Sequence, residues 1–98
     1  MYEIRRTEFF SNWLDRLRDA RARARILARL DRVAEGNVGD TRSVGESVSE
    51  LRIDYGPGYR VYYTKRSRTI VILLVGGDKS TQERDIKRAI QIARDLEE

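Results

Sequence analysis

The sequence predicts an α+β fold: a small antiparallel-rich sheet with a helical hairpin before it and one helix after it, in the order β-α-α-β-β-β-α. Three observations carry that expectation. Apolar residues recur at helical spacing in two stretches between Phe9 and Ala34, and again from Ile86 to Leu96. Residues 50–63 hold two alternating runs about Gly56, Pro57 and Gly58, the pattern of a β-hairpin. Residues 70–75 form an unbroken apolar run, which reads as a strand buried on both faces and central in its sheet.

Each element has its own signals. Tyr2 and Ile4 alternate around Glu3, so residues 2–6 read as a short first strand. Thr7 offers a side-chain oxygen for the start of a helix. Phe9, Phe10, Trp13, Leu14 and Leu17 then share one face, and Trp13 there is read as core rather than as a platform for a ligand. Asp19 caps a second helix, folded back on the first. Its buried stripe is Ile26, Leu27, Leu30, Val33 and Ala34, and Gly36 beside Asn37 stops it. Residues 37–49 read as a loop tacked to the core by Val44 and Val48. After the hairpin, Lys65 to Arg68 make a polar turn, and the apolar run leaves the sheet at Gly76 and Gly77. Ser80 is expected to start the last helix, with Glu83 completing a capping box. Ile86, Ala89, Ile90, Ala93 and Leu96 form its apolar stripe. The helices are expected on one face of the sheet, within a single domain spanning residues 1–98.

Composition bounds the function. The 98 residues suffice for one core. Of 20 basic residues 17 are Arg, and the net charge of +4 points to an anionic partner, either nucleic acid or an acidic protein segment. There is no Cys, which excludes disulfides and thiolate metal sites, and no His, which removes the commonest general base and metal ligand. Neither metal nor cofactor is expected. Chemistry would have to run on Lys, Arg, Tyr, Asp, Glu, Ser or Thr. No apolar run reaches the roughly 18 residues of a membrane span, and the charged N-terminus lacks a signal-peptide pattern, so a cytoplasmic location is expected.

The hairpin sorts its side chains by strand alternation. Leu51, Ile53, Tyr55, Tyr59, Val61 and Tyr63 form an apolar face; Glu50, Arg52, Asp54, Arg60, Tyr62 and Thr64 form a polar one. Lys79 arrives beside that polar face at a helix start, where unpaired amides and a cation suit an anion. Arg52 and Arg60 add planar, permanently charged forks matched to phosphate. A structural reading stands beside this one. If Tyr55 faces Tyr59, Asp54 lies opposite Arg60 as an ordinary ion pair, and Arg52 stacks on Tyr62. The second helix also carries Arg21, Arg25, Arg29 and Arg32 on one face, a repulsive stripe that is either solvated surface or a contact for phosphates or an acidic partner. On RNA, Arg60 and Lys79 would stabilise charge on the phosphate, while Tyr62 or Glu50 would have to take the proton.

The hairpin, together with residues 73–82, Asp85 and Ile86, resembles the RelE/ParE superfamily of bacterial toxins, and more narrowly its HigB-like, phage Gp49-like branch of addiction module killer proteins. The likeness extends over nearly the whole chain, including Arg25-Ile26, Arg29-Leu30 and the stop at Gly36-Asn37. It implies the toxin of a type II toxin–antitoxin pair, neutralised by a small antitoxin, often of helix-turn-helix type. Ribosome-dependent members of the superfamily cut mRNA in the translating ribosome. By that likeness Arg60 falls at a catalytic arginine position, Arg52 at a basic position on the second strand, and Lys79 at a further basic position by location. The catalytic set expected is therefore Arg52, Arg60, Tyr62 and Lys79, with Arg21, Arg25 and Arg29 also contacting RNA. The long final helix departs from members that place a tyrosine or histidine at the C-terminus. Two alternatives accompany this expectation: a ParE-like inhibitor of DNA gyrase without chemistry of its own, or a basic domain that binds only its antitoxin.

Overall fold

The computed structural model describes residues 1–97. It contains β1 (Glu3–Arg6), α1 (Glu8–Arg16), α2 (Ala20–Ala34), β2 (Thr41–Gly45), β3 (Val48–Ile53), β4 (Tyr59–Arg66), β5 (Ile70–Asp78), a 3₁₀ turn (Lys79–Thr81) and α3 (Gln82–Leu96). The five strands lie in the order β1-β5-β4-β3-β2, with β1 parallel to β5 and every other pairing antiparallel. Among the described residues no helix is long and apolar enough to cross a membrane.

Several local expectations hold. Thr7 caps α1 by accepting from the Phe10 amide at 3.1 Å. Asp19 caps α2 by accepting from the amides of Arg21 and Ala22 at 2.9 and 3.2 Å. Gly36, at φ +101°, follows the last turn of α2 in a conformation that disfavours a side chain. Trp13 is half-buried and packs against the core, edge-on to Tyr59.

Other expectations need correction. The segment read as a loop contains β2, an edge strand joined to β3 by Glu46 and Ser47. Both have positive φ, the geometry of a tight primed hairpin turn, but neither is the Asn or Gly that normally announces one. The helices also occupy both faces of the sheet. Phe10, Leu14, Ile26, Leu30 and Val33 from α1 and α2 pack on Leu51, Ile53, Val61 and Tyr63. Ala89, Ile92 and Ala93 from α3 cover Val48, Tyr62, Leu74 and Val75 on the other side. A chain this short still forms two apolar layers because β4 and β5 supply both. In the helices, Phe9, Leu27 and Leu96 are exposed rather than core, while Ala22 and Ile92 take buried places.

The apolar run is interior and buried, as its composition requires, but β4 rather than β5 is the middle strand. β5 also runs through Gly76 and Gly77 to Asp78. Its register against β4 steps from Val75 opposite Tyr62 to Leu73 opposite Tyr63, leaving Leu74 as an extra residue. That bulge re-phases the strand. Ile72, Leu74 and Val75 all serve the α3 side, after which Gly76 turns toward Trp13 of α1 and Gly77 toward Asp85 of α3. The final helix is then led in by Asp78, which accepts from the Ser80 amide at 2.8 Å, with Thr81 as its reciprocal partner; the expected Ser80–Glu83 box does not form.

Both glycines are needed for close approach. A methyl group on Gly76 would fall well inside contact distance of the Trp13 indole. Gly76→Ala should therefore destabilise the protein by about 1–3 kcal/mol through overpacking. Urea unfolding measures this, and an unchanged midpoint would contradict the Trp13–Gly76 packing.

Candidate functional site

The Gly56-Pro57-Gly58 segment sits within a longer turn than expected, and this sets the site. Ile53 pairs with Tyr59, so residues 54–58 form the loop, with positive φ at Gly56 and Gly58. The register then places Arg52 opposite Arg60 and Glu50 opposite Tyr62. The expected Asp54–Arg60 and Arg52–Tyr62 pairings do not occur. Asp54 is instead an exposed loop residue with no ion pair among the described residues.

Glu50 is fully buried beneath α3. One carboxylate oxygen accepts from Tyr62 Oη at 3.0 Å and from Gln82 Nε2 at 2.7 Å. The other accepts from Arg42 Nε at 3.0 Å and stands 3.8 Å from Arg60 Nε. One side chain thus ties β3 to β2, β4 and α3. Burial alone would push its pKa up, but the hydrogen bonds from Gln82, Arg42 and Tyr62, with the Arg42 charge, outweigh that and hold it below the ordinary range. Tyr62 moves the opposite way: burial, the Glu50 charge and its hydrogen bond to Glu50 all raise its pKa. Its phenol keeps its proton and donates it to Glu50. The fully buried ring reaches no solvent-facing cleft.

The basic residues converge more closely. Arg52, Arg60 and Lys79 line an open cleft of about 530 Å³ together with Asp40, Asp54 and the Gly56-Pro57-Gly58 loop. Arg60 is only 12% exposed; its Nη1 donates to the carbonyls of Gly58 and Tyr59 at 2.9 and 3.1 Å. Its Nε is buried without a hydrogen-bond partner among the described residues. Arg52 donates from Nε and Nη2 to Asp40 Oδ1 at 3.3 and 3.1 Å. Lys79 enters from the 3₁₀ turn: a Cβ on Gly58 would lie 3.4 Å from Lys79 Cβ and 3.3 Å from Arg60 Nη1. Gly58 therefore leaves room between the base of the Lys79 side chain and the Arg60 guanidinium.

The α2 stripe divides. Arg29 donates to the carbonyls of Arg52 and Val38 at 2.6 and 3.0 Å, a brace between helix and sheet. Burial lowers its pKa against the pull of Asp40. Arg25 lies over the Tyr55 ring, 4.8 Å from its centroid, while Arg21 and Arg32 are exposed. A second cavity of about 260 Å³ between Arg25, Arg32 and the hairpin shares Ile53 and Asp54 with the basic cleft. Sequence reasoning did not single out Arg42, Asp40 or Gln82. Two of these lie in or beside the segment read as a loop, and Gln82 reaches Glu50 only because α3 covers that face.

The model of the family described as "Phage derived protein Gp49-like (DUF891)" matches residues 12–98. The chain belongs to the Gp49-like family. It is 50% identical over 94 residues to an uncharacterized protein of Haemophilus influenzae, with 96% of this chain and 95% of that protein covered. The Gp49-like family is associated with addiction-module killer proteins, which makes this member toxin-like and points to an antitoxin partner.

The buried carboxylate gives a two-part expectation. Glu50→Ala removes the partner of Arg42, Arg60 and Tyr62, and should cost about 3 kcal/mol, as when one member of a buried ion pair is deleted. A folded pKa below the unfolded 4.5 stabilises fully above that value, and the contribution is lost as pH falls through the folded pKa. The stability gap between the parent and Glu50→Gln should consequently narrow as pH drops below about 4.5. A gap that stays constant down to pH ~3 in urea titrations would contradict a depressed Glu50 pKa.

Proposed function

We propose that this Gp49-like chain is the toxin of a type II toxin–antitoxin pair, acting in the cytoplasm as a ribosome-dependent mRNA endoribonuclease and neutralised by a cognate antitoxin, often of helix-turn-helix type in such pairs. The observation that carries the reading is the direct cross-strand opposition of Arg52 and Arg60 at a cleft completed by Lys79. Like charges directly opposite one another on a sheet repel, and although Asp40 and Glu50 counter them singly, the pairing concentrates positive charge at the cleft. Such a concentration of fixed positive charge suits a phosphodiester, whose single negative charge grows towards two in the transition state of cleavage.

In this reading the two guanidinium forks and the ammonium hold the scissile phosphate and stabilise the charge that develops on it. That charge grows as the neighbouring 2′-oxygen bonds to phosphorus and the bond to the 5′-oxygen breaks, with water taking the 2′-hydroxyl proton and returning one to the departing 5′-oxygen. Arginine remains protonated, so Arg52 and Arg60 act electrostatically and not as proton acceptors. Tyr62 acts through Glu50, as part of the support beneath Arg60, and not on the substrate. Arg25 and the exposed Arg21 extend the basic surface along α2 toward the flanking RNA, whereas Arg29 holds the hairpin. The resemblance to RelE/ParE toxins that act on mRNA in the ribosome supports the same assignment.

Pulse-labelling of protein and DNA synthesis in the first minutes after induction tests it. Protein synthesis should fall first, and Arg60→Ala and Lys79→Ala should each reduce mRNA cleavage on ribosomes about 10²-fold, as loss of one transition-state donor does. Full toxicity of both variants would remove the cleft from the mechanism. DNA damage preceding any fall in translation would instead indicate a gyrase-directed toxin, and neither effect would leave antitoxin binding as the function.

A further inference from the structure

The basic cleft contains a feature that phosphate binding does not need. Asp40 is neutralised by Arg52, but Asp54 lines the same cleft as an exposed carboxylate without an ion-pair partner among the described residues. A carboxylate beside an anion site repels the phosphate. It is compatible with the ligand only if another part of that ligand presents hydrogen-bond donors, since an ionised carboxylate only accepts. On a strand of RNA those donors are base edges and ribose hydroxyls.

Asp54 also lines the adjoining 260 Å³ cavity, which is large enough for a single nucleobase. The buried Ile53 borders it on the sheet side, and Arg25, Ala28, Arg29 and Arg32 form its helix side. Arg25 already lies on Tyr55, so its outer guanidinium face offers a base a surface to stack on. We infer that this cavity is a base-reading subsite, in which Asp54 accepts from the Watson–Crick edge of a guanine adjacent to the phosphate held by Arg52, Arg60 and Lys79. Guanine is selected by its donor pattern. Its N1–H and N2–H₂ lie side by side and match the two oxygens of one carboxylate. Adenine and cytosine place a ring-nitrogen acceptor beside the amine, and uracil flanks N3–H with two carbonyls, so each meets the second oxygen with repulsion.

This inference rests on the ribonuclease reading above, and one experiment separates the two. Messenger RNA 5′ ends are mapped across the transcriptome after induction of the parent protein and of Asp54→Asn. The readout is the distribution of bases around the cuts, which a merely weakened enzyme leaves unaltered. The parent should show guanine enriched about tenfold or more at one fixed position, in the range a bidentate carboxylate or amide pair achieves. In Asp54→Asn that enrichment should fall to about twofold or less. No cutting by the parent would defeat the ribonuclease reading and this inference with it. Cutting by the parent with a flat base distribution would overturn only the inference, and is what a carboxylate reading a ribose hydroxyl would give. Unchanged guanine preference in Asp54→Asn would overturn it as well. So would loss of cutting at every base alike in a variant that melts like the parent, because Asp54 would then serve the chemistry.

Discussion

A carboxylate buried without water costs several kcal/mol unless its lone pairs are filled, and Glu50 is where the fold meets that constraint. Its four partners come from β2, β4 and α3, so satisfying one charge fixes the relative positions of three elements. The apolar cluster on this face is small, built of Val48, Tyr62, Leu74, Val75 and three residues of α3. Hydrophobic contact of that kind is non-directional and leaves the helix free to slide by a turn. The hydrogen bonds of Gln82 and Tyr62 to a single carboxylate oxygen are directional. They set where α3 begins, and with it where the preceding Lys79 stands.

The same carboxylate bears on the cleft through Arg60. That guanidinium is nearly buried, spends one nitrogen on the hairpin carbonyls and faces Glu50 with another. Arg52, opposite it, is countered by Asp40. The two like charges are therefore tolerated because each has its own anion. Arg29 adds a further tie by holding the Arg52 carbonyl from α2. Arg52 and Arg60 are positioned by the scaffold before any ligand arrives, which lowers the ordering cost of binding.

How much of this could be read from the sequence follows from the range of the forces involved. The caps at Thr7 and Asp19, the stop at Gly36 and the buried run of β5 depend on neighbours within a few residues, and they stand as read. The β2–β3 hairpin was illegible because Glu46 and Ser47 adopt a primed turn without its usual residues. The faces of the sheet were misjudged because Glu50, Arg52 and Tyr62 look like a solvated surface by alternation, whereas α3 covers part of it. Arg52 and Arg60 were expected on one face from strand parity, and Lys79 beside them from its place at a helix start; the three line one cleft. Their partners were not expected, since a two-residue change in loop length moves Asp54 out of the ladder and brings Arg60 opposite Arg52. Tyr62 was expected to touch the substrate because parity gives its face but not its burial.

The central claim is that the hairpin end of the sheet presents one preorganised anion-binding cleft. Its most direct test is an amide chemical-shift titration of the folded protein with a short 2′-O-methyl RNA, which can bind without being cut. The account predicts that the largest perturbations fall on the segment from Arg52 to Arg60 and on residues 78–81, and that they diminish with added salt as phosphate contacts do. Perturbations confined to α1 and the outer face of α3, or a spectrum indifferent to RNA, would contradict it.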